Sequence, residues 1–531
     1  MPLLVLLLVA TGHAIPALLN AHELHSDAAV VGLQARHLLH GEWSRFLWGS
    51  GYQTSTDSVI AAAAFAVLGA TPLALTLSSF LCHLLLVAFA FATVRRRFAP
   101  WPSALLLSPL AFATGPLHTY MFSPPRQAAL TLAFASIWIL DGALHSRRAA
   151  ISLALGSFVA GLACFADPYA LIFMPALGVF LLFGSAEPTL SGRARELACG
   201  AVGGLAGLVP LWLLRHSAQA ASGVLGLRSD VVAHNLTLLR QVCLPYLLGT
   251  TAYFSAQAPL VQVWPAPPWF HAIQLAGASS LLLGVLVGGA CVLVRRLPFP
   301  VRRLAAAGAI MLPVTLGAFA LSVMVMDRFS ARYLVAIVLM APFALAPALL
   351  LLGPPRFALL LAPYLLSTMV AGWLGYGEDV DGIRVVRHDP SASDEVRLKD
   401  ELDKQGLSFA LADYWVAYRL TFLYEERVLV VPWHEQLDRY PPYRTAVAAQ
   451  NRVAYIYDPW RSQEDISNRE AEIRAGHTEF NPAVTPLRVG RYTVLILERP
   501  PKPPPHLAQM VSVSLPAPGA SPPAHTSSRA N

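Results

Sequence analysis

The chain has 531 residues, of which 55% are hydrophobic and only 13% charged, with a net charge of +7 and a mean hydropathy of +0.53. So few charges do not coat a soluble protein of this length, and composition excludes a wholly soluble chain. The arginines fall in pairs and triplets between apolar runs rather than on one face, which speaks against nucleic acid as a partner, and the five cysteines show no Cys-x-x-Cys spacing that would suggest a zinc site or a disulfide framework.

In chain order, apolar runs of membrane-spanning length predict helices at about 2–20, 58–93, 101–115, 127–144, 149–165, 168–184, 197–214, 271–294, 303–326, 334–352 and 357–375. The fold expected is therefore an α-helical polytopic membrane protein of about eleven spans. The first run, directly after Met1 and without basic residues ahead of it, reads as a signal anchor, with a cleaved signal peptide ending near Asn20 as the alternative. Arg95–Arg97, Arg147 and Arg148, Arg193 and Arg195, the group Arg295, Arg296, Arg302 and Arg303, and Arg356 occupy alternate loops. Cationic residues at helix ends are retained in the cytoplasm, so these loops are predicted inside. Segments 21–57, 116–126, 215–270 and 327–333, with everything after the last span, are predicted outside. Gly200, Gly203, Gly204 and Gly207 give the small-xxx-small spacing that admits a neighbouring helix closely.

Near Gly377 the apolar runs end and charged residues crowd together, giving a membrane domain over 1–376 and a water-soluble α/β domain over 377–498. Its predicted elements are strands at 407–411, 427–431, 452–457 and 492–497 and helices at 413–424 and 463–474. From 499 to 531 the Pro, Ala and Ser content predicts a disordered tail.

The first outside loop carries the most chemistry. It runs His22-Glu23-Leu24-His25-Ser26-Asp27 and continues as an amphipathic segment, with Ala28, Val31, Ala35, Leu38 and Leu39 on one face and Gln34, Arg36, His37 and His40 on the other. This predicts a helix at the membrane surface, capped by Ser26 and stopped by Gly41, with Asp27 in its first turn. Asp27 there has a plain structural reading, complementing the positive helix end. A metal site of His22, Glu23, His25 and Asp27 is poorly supported, because the two histidines are three apart rather than the four a zincin helix needs.

The run Ser26-Asp27-Ala28, the helix ending at Leu39-His40-Gly41-Glu42, the stretch Phe46–Tyr52 and the span ending in Leu68-Gly69-Ala70-Thr71-Pro72 together resemble the GT-C membrane glycosyltransferases, in the branch of the protein O-mannosyltransferases and aminoarabinose transferases. Asp327-Arg328-Phe329-Ser330-Ala331-Arg332-Tyr333-Leu334 is similar to an Arg-Tyr-Leu element of that family, and Ala412–Leu423 with Arg439-Tyr440-Pro441-Pro442-Tyr443 is similar to the outer domain of some members. The resemblance implies a bacterial inner-membrane enzyme that takes a sugar from a polyprenyl-phosphate carrier, inverting the anomeric centre, with Asp27 as general base. Where relatives often carry an acidic pair, Ala28 follows Asp27, and Glu23 is the nearest other acid.

A departing phosphate calls for arginine, whose planar fork pairs with two oxygens. Arg126, Arg328 and Arg332 fall in outside loops, and with Glu23, Asp57 and Tyr333 they form the candidate substrate-binding set. Asp57, at the start of the second span, is expected to hold substrate or pair with an arginine. Asp167, before Pro168, reads as a helix-turn residue. No cofactor is indicated, a divalent metal is not signalled, and the acceptor stays open between protein, lipid and polysaccharide. Trp415, Trp433 and Trp460 are read either as core of the outer domain or as faces on which sugars stack. Two other readings stand beside this one. A secondary transporter lacks support from any internal repeat, and a silent relative that only binds the lipid carrier is kept open by Ala28.

Overall fold

The computed structural model describes residues 1–112, 121–146, 148–183, 189–214, 228–250, 267–374, 378–380, 383–385, 393–459, 461–462, 465–475, 480–481 and 486–499. Among them, eight helices are long and apolar enough to cross a membrane: Pro2–Leu19, Pro72–Val94, Gln127–His145, Ala149–Ala166, Leu190–Leu214, Pro268–Cys291, Phe299–Leu321 and Ala346–Val370, with Thr56–Leu68, Pro168–Leu182 and Phe329–Ala344 as shorter apolar pieces. Leu8, Val67, Leu205 and Leu286 project from the bundle with half or more of their surface uncovered, which lipid accommodates and water does not. The chain is an α-helical, multi-pass integral membrane protein with a small C-terminal sheet.

Several expected spans are interrupted where the backbone leaves helical geometry. The run 58–93 is two helices, Thr56–Leu68 and Pro72–Val94, because Gly69 adopts a positive φ of 83° and the Thr71 side chain then caps the next helix at Ala74. The expected break between 334–352 and 357–375 is present at Gly353, whose φ of 72° is non-helical, and the first of these spans is interrupted once more at Leu345, between Val335–Ala344 and the helix that begins at Ala346. The expected glycine contact is present. A Cβ on Gly203 would lie 2.0 Å from the Ala154 carbonyl oxygen and one on Gly207 2.2 Å from that of Phe158, so helices Ala149–Ala166 and Leu190–Leu214 touch backbone to backbone.

The helix Gln127–Gly142 orders the two ends of the bundle. At its C-terminal end Asp141, fully buried, receives Arg97 Nη1 at 2.8 Å and Arg96 Nη1 at 3.0 Å and also pairs with Arg303. All three arginines come from loops predicted inside. Arg126, from a loop predicted outside, stands at the other end of this helix, about 24 Å away at 1.5 Å per residue.

After the bundle, β1 (Glu378–Val380) and β2 (Ile383–Val385) form an antiparallel hairpin. A second sheet contains β3 (Phe409–Ala412), β4 (Leu429–Pro432), β5 (Arg452–Tyr457), β6 (Leu487–Val489) and β7 (Tyr492–Glu498) in the order β4-β3-β5-β7-β6. The first three are parallel and β7 runs antiparallel to both β5 and β6. The predicted strands and the helices Tyr414–Leu423 and Ile466–Arg474 are present. Helices Asp394–Lys404 and Pro441–Ala448 and strand β6 were not read from the sequence. The boundary at Gly377, Trp460 and residues 500–531 lie outside the described residues.

The crossover helix Tyr414–Leu423 joins the two parts of the molecule. Val416, Ala417 and Leu420 bury against one core of the sheet, whereas Tyr414, Tyr418 and Phe422, four apart, fall on the opposite stripe and pack with the first loop. There Phe422 reaches the helix Ser26–Leu39 at Gly32, where a Cβ would meet Phe422 Cε2 at 2.7 Å, and the Arg36 guanidinium lies 4.1 Å over the Phe422 ring.

Candidate functional site

The helix Ser26–Leu39 forms as expected, but its polar face is not left to water. Gln34 is fully buried and donates to the Phe46 carbonyl and Ser55 Oγ. Arg36 donates to the Phe422 and Ala70 carbonyls. The C-terminal sheet region and the neighbouring helices cover it, a burial that periodicity alone does not reveal. The cap also differs. His25 is the N-cap, its Nδ1 accepting the Ala28 N–H at 3.2 Å, while Ser26 Oγ donates to the Tyr414 carbonyl.

This arrangement fixes Asp27 at a junction of the membrane and outer parts. Tyr414 Oη donates to Asp27 Oδ1 and in turn accepts from Arg439 Nε at 3.1 Å. Arg439 Nη2 stands 4.0 Å from Oδ1, and Arg332 Nη1 stands 4.0 Å from Oδ2. Burial pushes the Asp27 carboxyl up, but His25, Arg439, Arg332 and the Tyr414 hydroxyl outweigh it, and the group is held below the usual carboxylate range. Asp27 is therefore ionised, a quarter exposed, and braced from two sides.

The Arg332 side leads into the membrane helices. Arg332 Nη2 donates to Tyr333 Oη at 3.2 Å and its guanidinium lies 5.1 Å from the Tyr333 ring, while Arg126 lies 5.5 Å from the same ring and 5.0 Å from that of Tyr169. Arg126 Nε pairs with Asp167 Oδ2 at 2.9 Å. Asp167 is also the turn residue expected, since its Oδ1 accepts the Tyr169 N–H. Asp57 accepts the backbone N–H groups of Arg126 and Ala128 at 2.9 and 3.0 Å, so it caps the helix Gln127–Gly142 and fixes the backbone at Arg126. Arg328 lies in the short 3₁₀ helix Arg328–Leu334, on the same turn that carries Arg332 and Tyr333.

Glu23, named with the candidate substrate-binding set, is enclosed, with Arg461 Nη2 at 2.5 Å and Arg419 Nη2 at 3.3 Å. Arg419 continues to Glu395 at 2.8 Å, and Arg491 binds Glu395 and Asp458. Burial opposes ionisation of Glu23, yet Arg419, His22, Arg461 and Arg491 keep its carboxyl well below the ordinary range. Glu23 thus ties the first loop to the outer domain. With Glu23 and His25 so engaged, the donor set considered for a metal is dispersed, and among the described residues no group of three or more His, Cys, Asp or Glu side chains is arranged to hold one.

A second tie is His37, whose Nδ1 lies 2.7 Å from Glu42 and whose Nε2 lies 2.8 Å from Glu426. Burial lowers its pKa, but the hydrogen bonds from Glu426 and Glu42 more than offset this and the net shift is upward. Its contribution to docking is present in full below the ordinary value of 6.5 and is lost as pH rises through the elevated one. Thermal midpoints of the detergent-solubilised protein are expected to fall as pH rises from 6.5 through the elevated value, and His37→Gln should flatten that part of the profile.

Trp415 packs edge-on to Tyr414, and Trp433 lies against Tyr455 and beneath Arg469, so both serve as packing residues of the outer domain.

No protein-family model matches the chain, and no curated protein does. Among solved structures the chain is similar to ArnT from Cupriavidus metallidurans, in the apo state with 12% identity and bound to undecaprenyl phosphate with 14%, each at a TM-score of 0.44 over 92% of this chain and 97% of that one. It is also similar to the Archaeoglobus fulgidus oligosaccharyltransferase in complex with Zn and sulfate, at a TM-score of 0.43 and 10% identity over 90% of this chain and 69% of that one.

Tyr414 and Arg439 are the site residues that sequence reading missed, although both lie in segments whose resemblance to the family's outer domain is visible.

Proposed function

We propose that the chain is a membrane glycosyltransferase that moves a sugar from a polyprenyl-phosphate carrier to an acceptor hydroxyl at the extracytoplasmic face of a bacterial inner membrane. The observation that carries the reading is the ionised Asp27 with arginines on both sides, Arg332 of a membrane loop and Arg439 of the outer domain. A partly buried carboxylate next to cationic groups suits a reaction that removes a proton from one oxygen and releases a charged phosphate at another.

In this reaction the acceptor O–H gives its proton to Asp27 and its oxygen forms a bond to the anomeric carbon. The bond from that carbon to the phosphate oxygen breaks on the opposite face, and its electron pair leaves with the phosphate. Configuration inverts, and positive charge develops on the sugar ring near the carboxylate, by analogy with glycoside hydrolysis. Arg332, with 39% of its side chain exposed, is the arginine best placed to meet the phosphate, and Arg126, 12% exposed and held by Asp167, supports it across Tyr333.

The test is release of polyprenyl phosphate by the purified protein from a panel of polyprenyl-phosphate sugars, with an envelope extract as acceptor. Turnover of at least one donor is expected. In Arg332→Gln the KM for that donor should rise by about tenfold or more, as loss of a charge-assisted contact implies. A panel in which no donor is consumed sinks the proposal.

A further inference from the structure

Each oxygen of Asp27 faces a different neighbourhood. The Oδ2 side leads through Arg332 to Tyr333 and Arg126, among the membrane helices. The Oδ1 side leads through Arg439 to the Gly49 carbonyl, which accepts from Arg439 Nη1 at 2.9 Å. Gly49 adopts a positive φ of 66°, and a Cβ there would sit 2.5 Å from Arg439 Cδ, so the loop backbone lies directly on the guanidinium stem.

Beyond this contact an open cleft of about 380 Å³ lies between the segments Glu42–Gly51 and Arg439–Pro442, lined among others by Glu42, Trp43, Trp48, Arg439 and Tyr440. Its floor is built from side chains in mutual contact. Trp48 and Tyr440 stack with centroids 3.9 Å apart, and His37 meets the Trp48 ring edge-on at 4.9 Å. Tyr440 Oη donates to Glu42 Oε2 at 3.2 Å. On the rim Trp43 is 75% exposed, a large aromatic surface left to solvent. The volume is at the lower end of small-ligand sites, about 300–1,000 Å³.

We infer that this cleft binds one or two sugar units of a glycan acceptor, with Trp43 as the stacking face and Glu42 and Arg439 as partners for its hydroxyls; the inference rests on the proposed glycosyl transfer and names the acceptor class. Aromatic faces alternating with a carboxylate and a guanidinium match the two surfaces of a sugar ring, apolar C–H on its faces and hydroxyls around its edge. A lipid chain would leave Glu42 and Arg439 facing hydrocarbon, and a phosphate has no use for the aromatic wall. The cleft adjoins the base through Arg439, opposite the arginines expected to meet the donor phosphate, which suits an acceptor arriving from the outer domain.

The test is binding of short neutral, amino-sugar and uronic-acid oligosaccharides to the full-length protein in detergent, followed by saturation-transfer NMR without any donor. Saturable binding of at least one class is expected, weakened tenfold or more in Trp43→Ala and retained in Asp27→Asn. Tyr440→Phe, which keeps the ring and removes the hydroxyl, should weaken binding less than Trp43→Ala. Absence of binding by every class, or equal binding by Trp43→Ala, overturns the inference. So does quenching of Trp43 by brominated lipid in vesicles, which would make it an interface anchor. The two readings fail separately: turnover that depends on Asp27 without oligosaccharide binding removes only the cleft, whereas binding without turnover of any donor removes the transferase reading on which an acceptor assignment depends.

Discussion

Asp27→Asn is expected to lower sugar transfer by about 10²–10⁴-fold, the range that general-base catalysis contributes, with little change in donor binding. The amide keeps the shape of the side chain and can still accept from Tyr414, but it takes no proton. The pH profile adds a second readout. Because the Asp27 carboxyl is held below its ordinary value, the catalytic form is present above that value and is lost only as pH falls through the lowered one. The acid limb of kcat/KM should therefore lie below the ordinary carboxylate range. Tyr414→Phe removes the hydroxyl that donates to Asp27 and should move the limb upward with the fold intact. Full activity in Asp27→Asn would remove the base from the proposal.

Arg419→Met is expected to destabilise docking of the outer domain by about 3–5 kcal/mol, the usual cost of removing one partner from a buried ion pair. Arg419 has no exposed side-chain surface and meets both Glu23 and Glu395. Without it the two buried carboxylates keep Arg461 and Arg491 as their remaining arginine partners. Burial lowers the pKa of Arg419, but Glu395, Tyr492, Glu23 and Asp458 raise it by more, so the side chain is charged at any pH the protein meets. Limited proteolysis of residues 393–499 in the variant, against wild type in the same detergent, reads the effect directly. A cleavage rate equal to wild type would show that the helix packing of Phe422 suffices alone.

The two findings also explain what was legible in the sequence. Asp27 and the turn bearing Arg332 and Tyr333 were recognisable because each sits in a short contiguous motif. The helix Ser26–Leu39 was recognisable from its period. The covering of its polar face was not, since Gln34 and Arg36 are satisfied by backbone carbonyls whose positions depend on the whole fold. Tyr414 was hidden for the same reason, lying 387 residues from Asp27. Sequence proximity does not reveal the surroundings of Glu23, four residues before Asp27 but turned to a separate set of arginines. The break at Gly69 was signalled by Gly69 and Pro72, yet hydropathy averaged over it, whereas the break at Gly353 falls between the expected spans 334–352 and 357–375.

The contribution of Tyr414 and Arg439 has a genetic consequence. A chain ended by a stop codon at 377 would retain the eight membrane-length helices of the described residues and Asp27 but would lack the hydroxyl and the guanidinium that brace the Oδ1 side. Such an allele should yield an inserted protein with no transfer activity, and supplying residues 377–531 as a separate secreted polypeptide should restore activity only if the Glu23 and Arg36 contacts reassemble. Catalysis and attachment of the outer domain would then be inherited as one trait, so that the membrane half cannot persist as a working enzyme on its own.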